Sequence, residues 1–273
     1  MNIQAAPTAN AEPVLLRDND GTVTVLTLNR PAARNSLSEP LLTALGDALS
    51  AIAADRNVRA VVLAANGSAF CAGHDLKELT SRRNDVDGGR AYFQHIMTIC
   101  SAMMQQIVTL PQPVIAAVQG VASAAGCQLV ASCDLAIASQ SAGFATPGVD
   151  IGLFCSTPMV ALSRNVSRKH AMEMLLSGGI VSADKAAAMG LVNEVVPAGA
   201  ELAKAMELAL GFASKSSHVV GIGKAAFYRQ LELPLAEAYR YASEVMTENM
   251  MARDAEEGIS AFIDKRTPSW EDR

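Results

Sequence analysis

Between Val114 and Ala138 the chain runs VIAAVQGVASAAGCQLVASCDLAIA, and this stretch limits the possible folds more than any other. It is apolar enough to suggest a membrane span, since roughly 20 such residues cross a bilayer as a helix. Its apolar content is mostly Ala, however, and Gln119, Gln128 and Asp134 interrupt it, each costly in lipid. A buried strand, a helix and a second buried strand fit better, with VIAAV and LAIAS as the strands.

The flanking sequence repeats this alternation. TVTVLTL, from Thr22, alternates as a strand does, and NRPAARNSLSEP breaks it. Leu42, Leu45, Leu49 and Ile52 then recur at helical spacing behind a Ser38 cap, with Pro40 in the first turn. RAVVLAA (residues 59–65) reads as a strand, and Tyr92, Ile96, Ile99, Met103 and Ile107 define a long helix that stops before PQP. GFATPGVDIGLFCSTP (143–158) reads as a glycine-rich connector. After Ser167 the pattern is almost wholly helical: VSADKAAAMGL starts a helix at Ser182 and stops it at Gly190, and further periods cover 200–217, 219–231, 235–250 and 254–266. The fold class is α/β with parallel or mixed pairing. Residues 1–12 are expected to be a disordered tail, 13–200 the core, and 201–273 a helical region for oligomerisation.

A chain of 273 residues that is 50% apolar can bury a large core. Its net charge of −5 lacks the basic excess that binding a phosphate backbone requires, so nucleic acid is excluded as a partner, as is a membrane. The cysteines at 71, 100, 127, 133 and 155 are odd in number and lack metal-type spacing, which reads as buried reduced thiols and no metal site. MNIQAAPTANA at the start has no basic segment, no apolar segment and no arginine, so a cytoplasmic protein is expected.

Two turns could bind an oxyanion. In FCAGHDLKEL (70–79), Asp75 and Glu78 have the spacing of a capping box, which makes Gly73 and His74 the turn into a helix. In the second, Gly120 to Gly126 is built of small residues before a helix near Ala125. Unpaired amides at such starts attract anions, and small residues let a ligand approach the backbone.

NRPAARNSLS, FCAGHDLKEL, AAVQGVASAAGCQLVASCDLAIAS, VSADKAAAMGLVNEVVP and EEGISAFIDKR, in that order, resemble the crotonase superfamily, the enoyl-CoA hydratase/isomerase family. CAGHDLKEL, AAGCQLVASCD, FATPGV and GLFCSTP further resemble the subgroup of enoyl-CoA hydratase domain-containing protein 3. The resemblance implies a spiral of strand-strand-helix units with a C-terminal helical trimerisation region, assembled as a trimer or a dimer of trimers. It implies an acyl-CoA partner and no cofactor beyond the CoA moiety. The two amides that polarise the thioester carbonyl would be those of His74 and Ala125. CoA contacts would fall at Arg34, Asn35 and Ser36 and along Ala72, Gly73, His74, Asp75, Leu76 and Lys77, with Phe262 and Lys265 reaching a CoA near the subunit boundary.

The sequence departs from that family where its hydratases carry two glutamates, because those positions hold Gln128 and Gly148. Glutamine cannot exchange a proton usefully and glycine has no side chain. Asp150 is the nearest carboxylate to the second position, and the imidazole of His74 is a further candidate. Cys155 and Ser156 have no visible activating partner, and Ser123 is not in a G-x-S-x-G elbow. The expected function is an enoyl-CoA hydratase-like enzyme with altered acid-base groups. The alternatives are a non-catalytic acyl-CoA binding protein and a thioesterase or decarboxylase variant.

Overall fold

Residues 12–273 are described by a computed structural model, and the expected tail lies almost wholly outside them. The chain enters as a hairpin of Leu15–Asp20 (β1) and Val23–Leu28 (β2), paired antiparallel from Leu15↔Leu28 to Asp20↔Val23. Gly21, at φ 58°, supplies the left-handed residue that so tight a turn needs. β1 is an addition to the sequence reading. Its exposed LLRDND lacks an apolar pattern, and only the Asp20-Gly21 pair signals the hairpin.

Helix α1 (Glu39–Ala54) is capped by Ser38, whose side chain accepts from the Leu41 amide. It leads to β3 (Ala60–Ala65), which lies parallel to β2. The chain then makes a short strand, β4 (Ala69–Cys71), before α2 (Leu76–Ser81) and α3 (Arg90–Thr109). The same unit recurs as β5 (Val114–Val118), β6 (Val121–Ser123) and α4 (Ala125–Ser132). It recurs again as β7 (Leu135–Ser139), β8 (Gly143–Ala145) and α5 (Pro158–Asn165). Helix α6 (Arg168–Ser177), strand β9 (Val181–Ser182), helix α7 (Ala183–Met189) and strand β10 (Glu194–Val196) follow.

The long strand of each unit joins a six-stranded sheet ordered β1-β2-β3-β5-β7-β10, and the short ones join a second sheet ordered β4-β6-β8-β9. Two-sheet spiralling of this kind is what strand-strand-helix units produce. The connector expected at 143–158 therefore contributes a strand, too short at three residues to show as a pattern. Val61, Leu63, Val114 and Ala116 turn one face of the large sheet toward the α1 and α3 side, while Ala60, Val62, Ile115 and Ala117 face Ala205, Ala209 and Ala213. Those alanines belong to helix α8 (Glu201–Ala213), whose small residues let it lie close to the strands. In the second sheet Phe70 and Phe144 are fully buried, each contributing about 2–3 kcal/mol of burial energy.

Helices α9 (Ser217–Gln230), α10 (Leu235–Met250) and α11 (Arg253–Asp264) complete the chain. A buried ion pair ties α9 to the core. Lys224 Nζ lies 2.6 Å from Asp134 Oδ2 and donates to the carbonyls of Ile107 and Gln112, and the Tyr228 hydroxyl donates to Asp134 Oδ1. Asp134, which interrupts the apolar run, is thus satisfied by α9 and by the Val114 amide. Among the described residues no helix is long and apolar enough to cross a membrane.

Candidate functional site

Parallel pairing of β4 with β6 brings the two small-residue turns together. Gly73, at φ 89°, fits so tightly that a methyl there would stand 3.0 Å from the Ser123 carbonyl oxygen and the Ala124 Cβ, and 3.3 Å from the Ala125 nitrogen. Gly126 is equally constrained, since its methyl would overlap the Cys71 carbonyl. These glycines serve close backbone approach between two strand ends. Between them Ala124 takes φ 50°, ψ −116°, a conformation that costs a non-glycine residue about 1–3 kcal/mol. Its amide donates to the Ala145 carbonyl at 2.9 Å, which fixes the turn against β8 and starts α4.

The amides of His74 and Ala125 make no hydrogen bond among the described residues. At His74 the neighbouring groups are already used: the Leu37 amide donates to the Gly73 carbonyl, and the Asp75 amide donates to the Leu37 carbonyl. At Ala125 the free amide is the first of a helix, where the backbone dipoles leave positive potential.

Asp75 caps α2 through the amides of Lys77 and Glu78. Glu78 does not close the expected capping box, because its carboxylate accepts from the Glu39 amide and the Tyr92 hydroxyl instead. Asp75 Oδ2 also receives Arg30 at 2.9 Å and Ser36 at 3.2 Å. Burial opposes ionisation of this carboxyl, but the hydrogen bonds from Arg30, Glu78 and Ser36 outweigh it and hold its pKa below the usual value. Asn35, in left-handed conformation and buried, accepts from the Arg30 amide and donates to the carbonyls of Asn66 and Ala69. Asn35 thus locks the loop after β2 to the start of β4, and Ser36 locks it to Asp75 beside His74. Arg34 remains exposed, and its carbonyl receives the Ala72 amide. Leu76 and Lys77 line a shallow open groove of about 560 Å³ with Thr80, Ser81 and Asn84.

Gln128 sits on α4 one turn from the strained residue and is 5% exposed, and its Oε1 has no hydrogen-bond partner. Gly148 lies in a 3₁₀ turn at Pro147–Ile151, where a methyl would meet Cys155 Sγ and the Leu153 carbonyl at 3.0 Å. Asp150 turns its carboxylate toward Gly178 at the end of α6: a methyl on Gly178 would stand 2.8 Å from Asp150 Oδ2. It makes no hydrogen bond to His74 or Gln128. Neither ring nitrogen of His74 makes a well-formed hydrogen bond among the described residues, and burial lowers its pKa against a weaker opposing pull from the Leu37 backbone. Sequence reasoning missed Thr146, which follows the Ala145 that fixes the turn. It is 1% exposed, and its hydroxyl has no partner.

All five cysteines are buried free thiols. Burial pushes Cys71 and Cys127 up to about 12 and also raises Cys155, which removes thiolate character at neutral pH. Among the described residues the Ser156 hydroxyl hydrogen-bonds only to the Phe154 carbonyl, at 3.3 Å. Among the described residues no cluster of three or more His, Cys, Asp or Glu could hold a metal ion. Phe262 and Lys265 lie on and just beyond α11, which packs on α9 and α10, and both are exposed.

A family model described as enoyl-CoA hydratase/isomerase matches residues 18–273. The Xenopus laevis protein named enoyl-CoA hydratase domain-containing protein 3, mitochondrial, is 45% identical over 94% of this chain and 86% of its own length. The crystal structure of an enoyl-CoA hydratase from Mycobacterium smegmatis is 52% identical, covers 95% of this chain and 99% of its own, and has a TM-score of 0.90. That of human enoyl coenzyme A hydratase domain-containing protein 3 is 44% identical, with coverages of 94% and 100% and a TM-score of 0.90. The expected cytoplasmic location is corrected by the relatives: those from Xenopus laevis, Homo sapiens, Rattus norvegicus, Mus musculus and Danio rerio are all named mitochondrial. Buried reduced thiols argue only against an oxidising compartment and do not choose between a cytosol and an organelle. The α/β spiral is the crotonase fold, and the chain belongs to the enoyl-CoA hydratase/isomerase family.

Proposed function

We propose that this chain binds an acyl-CoA thioester and polarises its carbonyl between the backbone amides of His74 and Ala125. The observation that carries this reading is the contact of the two turns, with Gly73 packed directly on Ala124 and Ala125 and both amides unpaired. Two converging N–H donors form an oxyanion hole, in which one donor alone is worth roughly 10²- to 10³-fold in rate. CoA lies along Arg34–Ser36 and Ala72–Lys77. The side chains of Asn35 and Ser36 shape that wall, while the exposed cations of Arg34 and Lys77 face its phosphates. Phe262 and Lys265 reach the CoA of a neighbouring copy, in a trimer or a dimer of trimers. The relatives named as enoyl-CoA hydratases support this substrate class.

Water addition by paired carboxylates is not the expected chemistry. A positioned acid or base contributes roughly 10²- to 10⁴-fold, and here the two positions are a neutral amide and a glycine. Asp150 turns toward Gly178 at the end of α6 and makes no hydrogen bond to Gln128 or His74, which argues against its replacing them. That placement favours a second reading, a non-catalytic acyl-CoA binder. A thioesterase working through Cys155 or Ser156 has against it a raised thiol pKa and a hydroxyl without a base.

Difference infrared spectroscopy with butyryl-CoA carrying ¹³C at the thioester carbonyl tests the proposal. The stretch of the bound ester is expected at lower frequency than in water, and an unshifted band from bound ligand would refute the two-amide site. Mass analysis after incubation with crotonyl-CoA and other acyl-CoAs then separates the readings: a product supports an enzyme, and bound but unchanged thioesters support the binder.

A further inference from the structure

Helix α11 is held to the rest of its own chain more by polar contacts than by packing. Only its Asp254 and Ala261 are buried, while Ile259, Phe262 and Ile263 stay exposed. Gly258 lowers its helix propensity, and a helix of 12 residues is marginal in water unless something else holds it. What holds it is the segment that follows.

Lys265 takes the left-handed conformation, at φ 56°, which ends α11 and turns the chain back along it. The return is pinned at each step. Arg266 donates to both carboxylate oxygens of Glu257, at 2.5 and 2.8 Å, and the Ser269 amide donates to the same carboxylate. The Trp270 ring lies against Gly258, where a methyl would stand 3.2 Å from two of its carbons. Asp254, 2% exposed, receives the amides of Glu271 and Asp272 at 2.7 and 2.9 Å, and its own amide donates to the main-chain oxygen of Arg273.

The same segment is fastened to the body of the chain. Trp270 Nε1 donates to the Ser214 carbonyl at 2.9 Å, just after α8, and Asp272 Oδ1 accepts from the Ser217 amide that starts α9. Asp272 Oδ2 pairs with Arg59, just before β3, and the Arg59 guanidinium also donates to the carbonyls of Ala213 and Lys215.

We infer that residues 266–273 form a clasp, and that α11 is a detachable element, released from a still-folded body when the clasp opens. Release withdraws the face of Ile259, Phe262 and Ile263, so the clasp controls whether that surface is presented. A polar clasp suits this role, because hydrogen bonds that exchange for water open at little net cost, whereas burial of apolar side chains would fix the helix. The inference does not depend on the acyl-CoA reading.

Hydrogen–deuterium exchange read by mass spectrometry, on the full chain without ligand, tests it in the wild type, Asp272→Ala and Trp270→Ala. Glu244→Ala serves as the control, since Glu244 pairs with Arg240 on the surface of α10, outside the clasp. The amides of α11 are expected to exchange at least about tenfold faster in both clasp variants, with α1 and α3 unchanged and the control matching the wild type. Protection of α11 that survives either clasp variant would overturn the inference, as would an equal loss in the control. Faster exchange shared by α1 and α3, or failure of either clasp variant to fold, would also overturn it, because the segment would then belong to the core.

Discussion

The turns between β4, β6 and β8 and the helices α9 to α11 solve opposite problems. Around the turns Phe70, Cys71, Ala122, Ala125, Phe144 and Ala145 are enclosed by the chain itself, and the unpaired groups there are polar: two amides, an imidazole, a glutamine and a threonine. In the helices the leftover is apolar. α9 encloses little beyond the Lys224 side chain and α10 buries only Ala238, while Leu235, Tyr239, Met246 and Met250 on α10 and Ile259, Phe262 and Ile263 on α11 stay exposed. The first region leaves unpaired polar groups; the second leaves an apolar surface of the kind that marks a protein contact.

The comparison breaks most visibly at Gly126. If the turns are held by backbone contact, Gly126→Ala puts a methyl into the Cys71 carbonyl, and neither strand end can yield without unpairing β4 from β6. A loss of about 4 kcal/mol or more is expected, read as a large fall in the denaturant midpoint or as failure to recover folded protein. A near-native midpoint would mean that the two turns are not in contact.

Next in size is the tie between the regions. Asp134→Ala strands Lys224 in a site where burial already lowers its pKa against the pull of Asp134, and it deprives Tyr228 and the Val114 amide of their acceptor. Removing one partner of a buried pair costs about 3–5 kcal/mol, and the chemical denaturation midpoint should fall accordingly. Lys224→Met with Asp134→Leu should recover much of that loss; if it does not, the tie is a network that cannot be replaced by packing.

The apolar faces give the sharpest contrast. Phe262 is 86% exposed and Ile263 71%, so the double substitution Phe262→Glu, Ile263→Glu removes no packing within one chain. It should leave the far-ultraviolet circular dichroism unchanged and shift the mass measured by light scattering toward the monomer. Assembly that survives it would place the subunit contact elsewhere.

What the sequence displayed follows the same division. Leu42, Leu45, Leu49 and Ile52, or Ile96, Met103 and Ile107, state their own burial through spacing, and the structure buries all seven. Ser38 and Asp75 announced their helix starts in the same local way. The second sheet was hidden because its strands run two to three residues, shorter than any period can register. Glu78 followed a local rule on paper, but Tyr92 and the Glu39 amide, distant in sequence, took its carboxylate. At the site, Gly73 and Gly126 advertised close approach, while the strain at Ala124 and the orphaned hydroxyl of Thr146 depend on three strands meeting and leave no mark in composition.

The smallest effect expected is one of pH. His74 sits at the polar-leftover site with neither ring nitrogen in a well-formed hydrogen bond, and burial holds its folded pKa below the ordinary 6.5. In the window just below pH 6.5 the unfolded chain binds a proton that the folded one refuses. Stability therefore rises with pH there: it is full above pH 6.5 and is lost as the pH falls toward the lowered folded value. Carboxylates add their own acid losses, so the quantity to measure is the difference between wild type and His74→Gln in the change of melting temperature from about pH 7 to about pH 5. The wild type should lose more. Parallel curves would mean that the imidazole titrates as it does in water and that its surroundings are wet rather than enclosed.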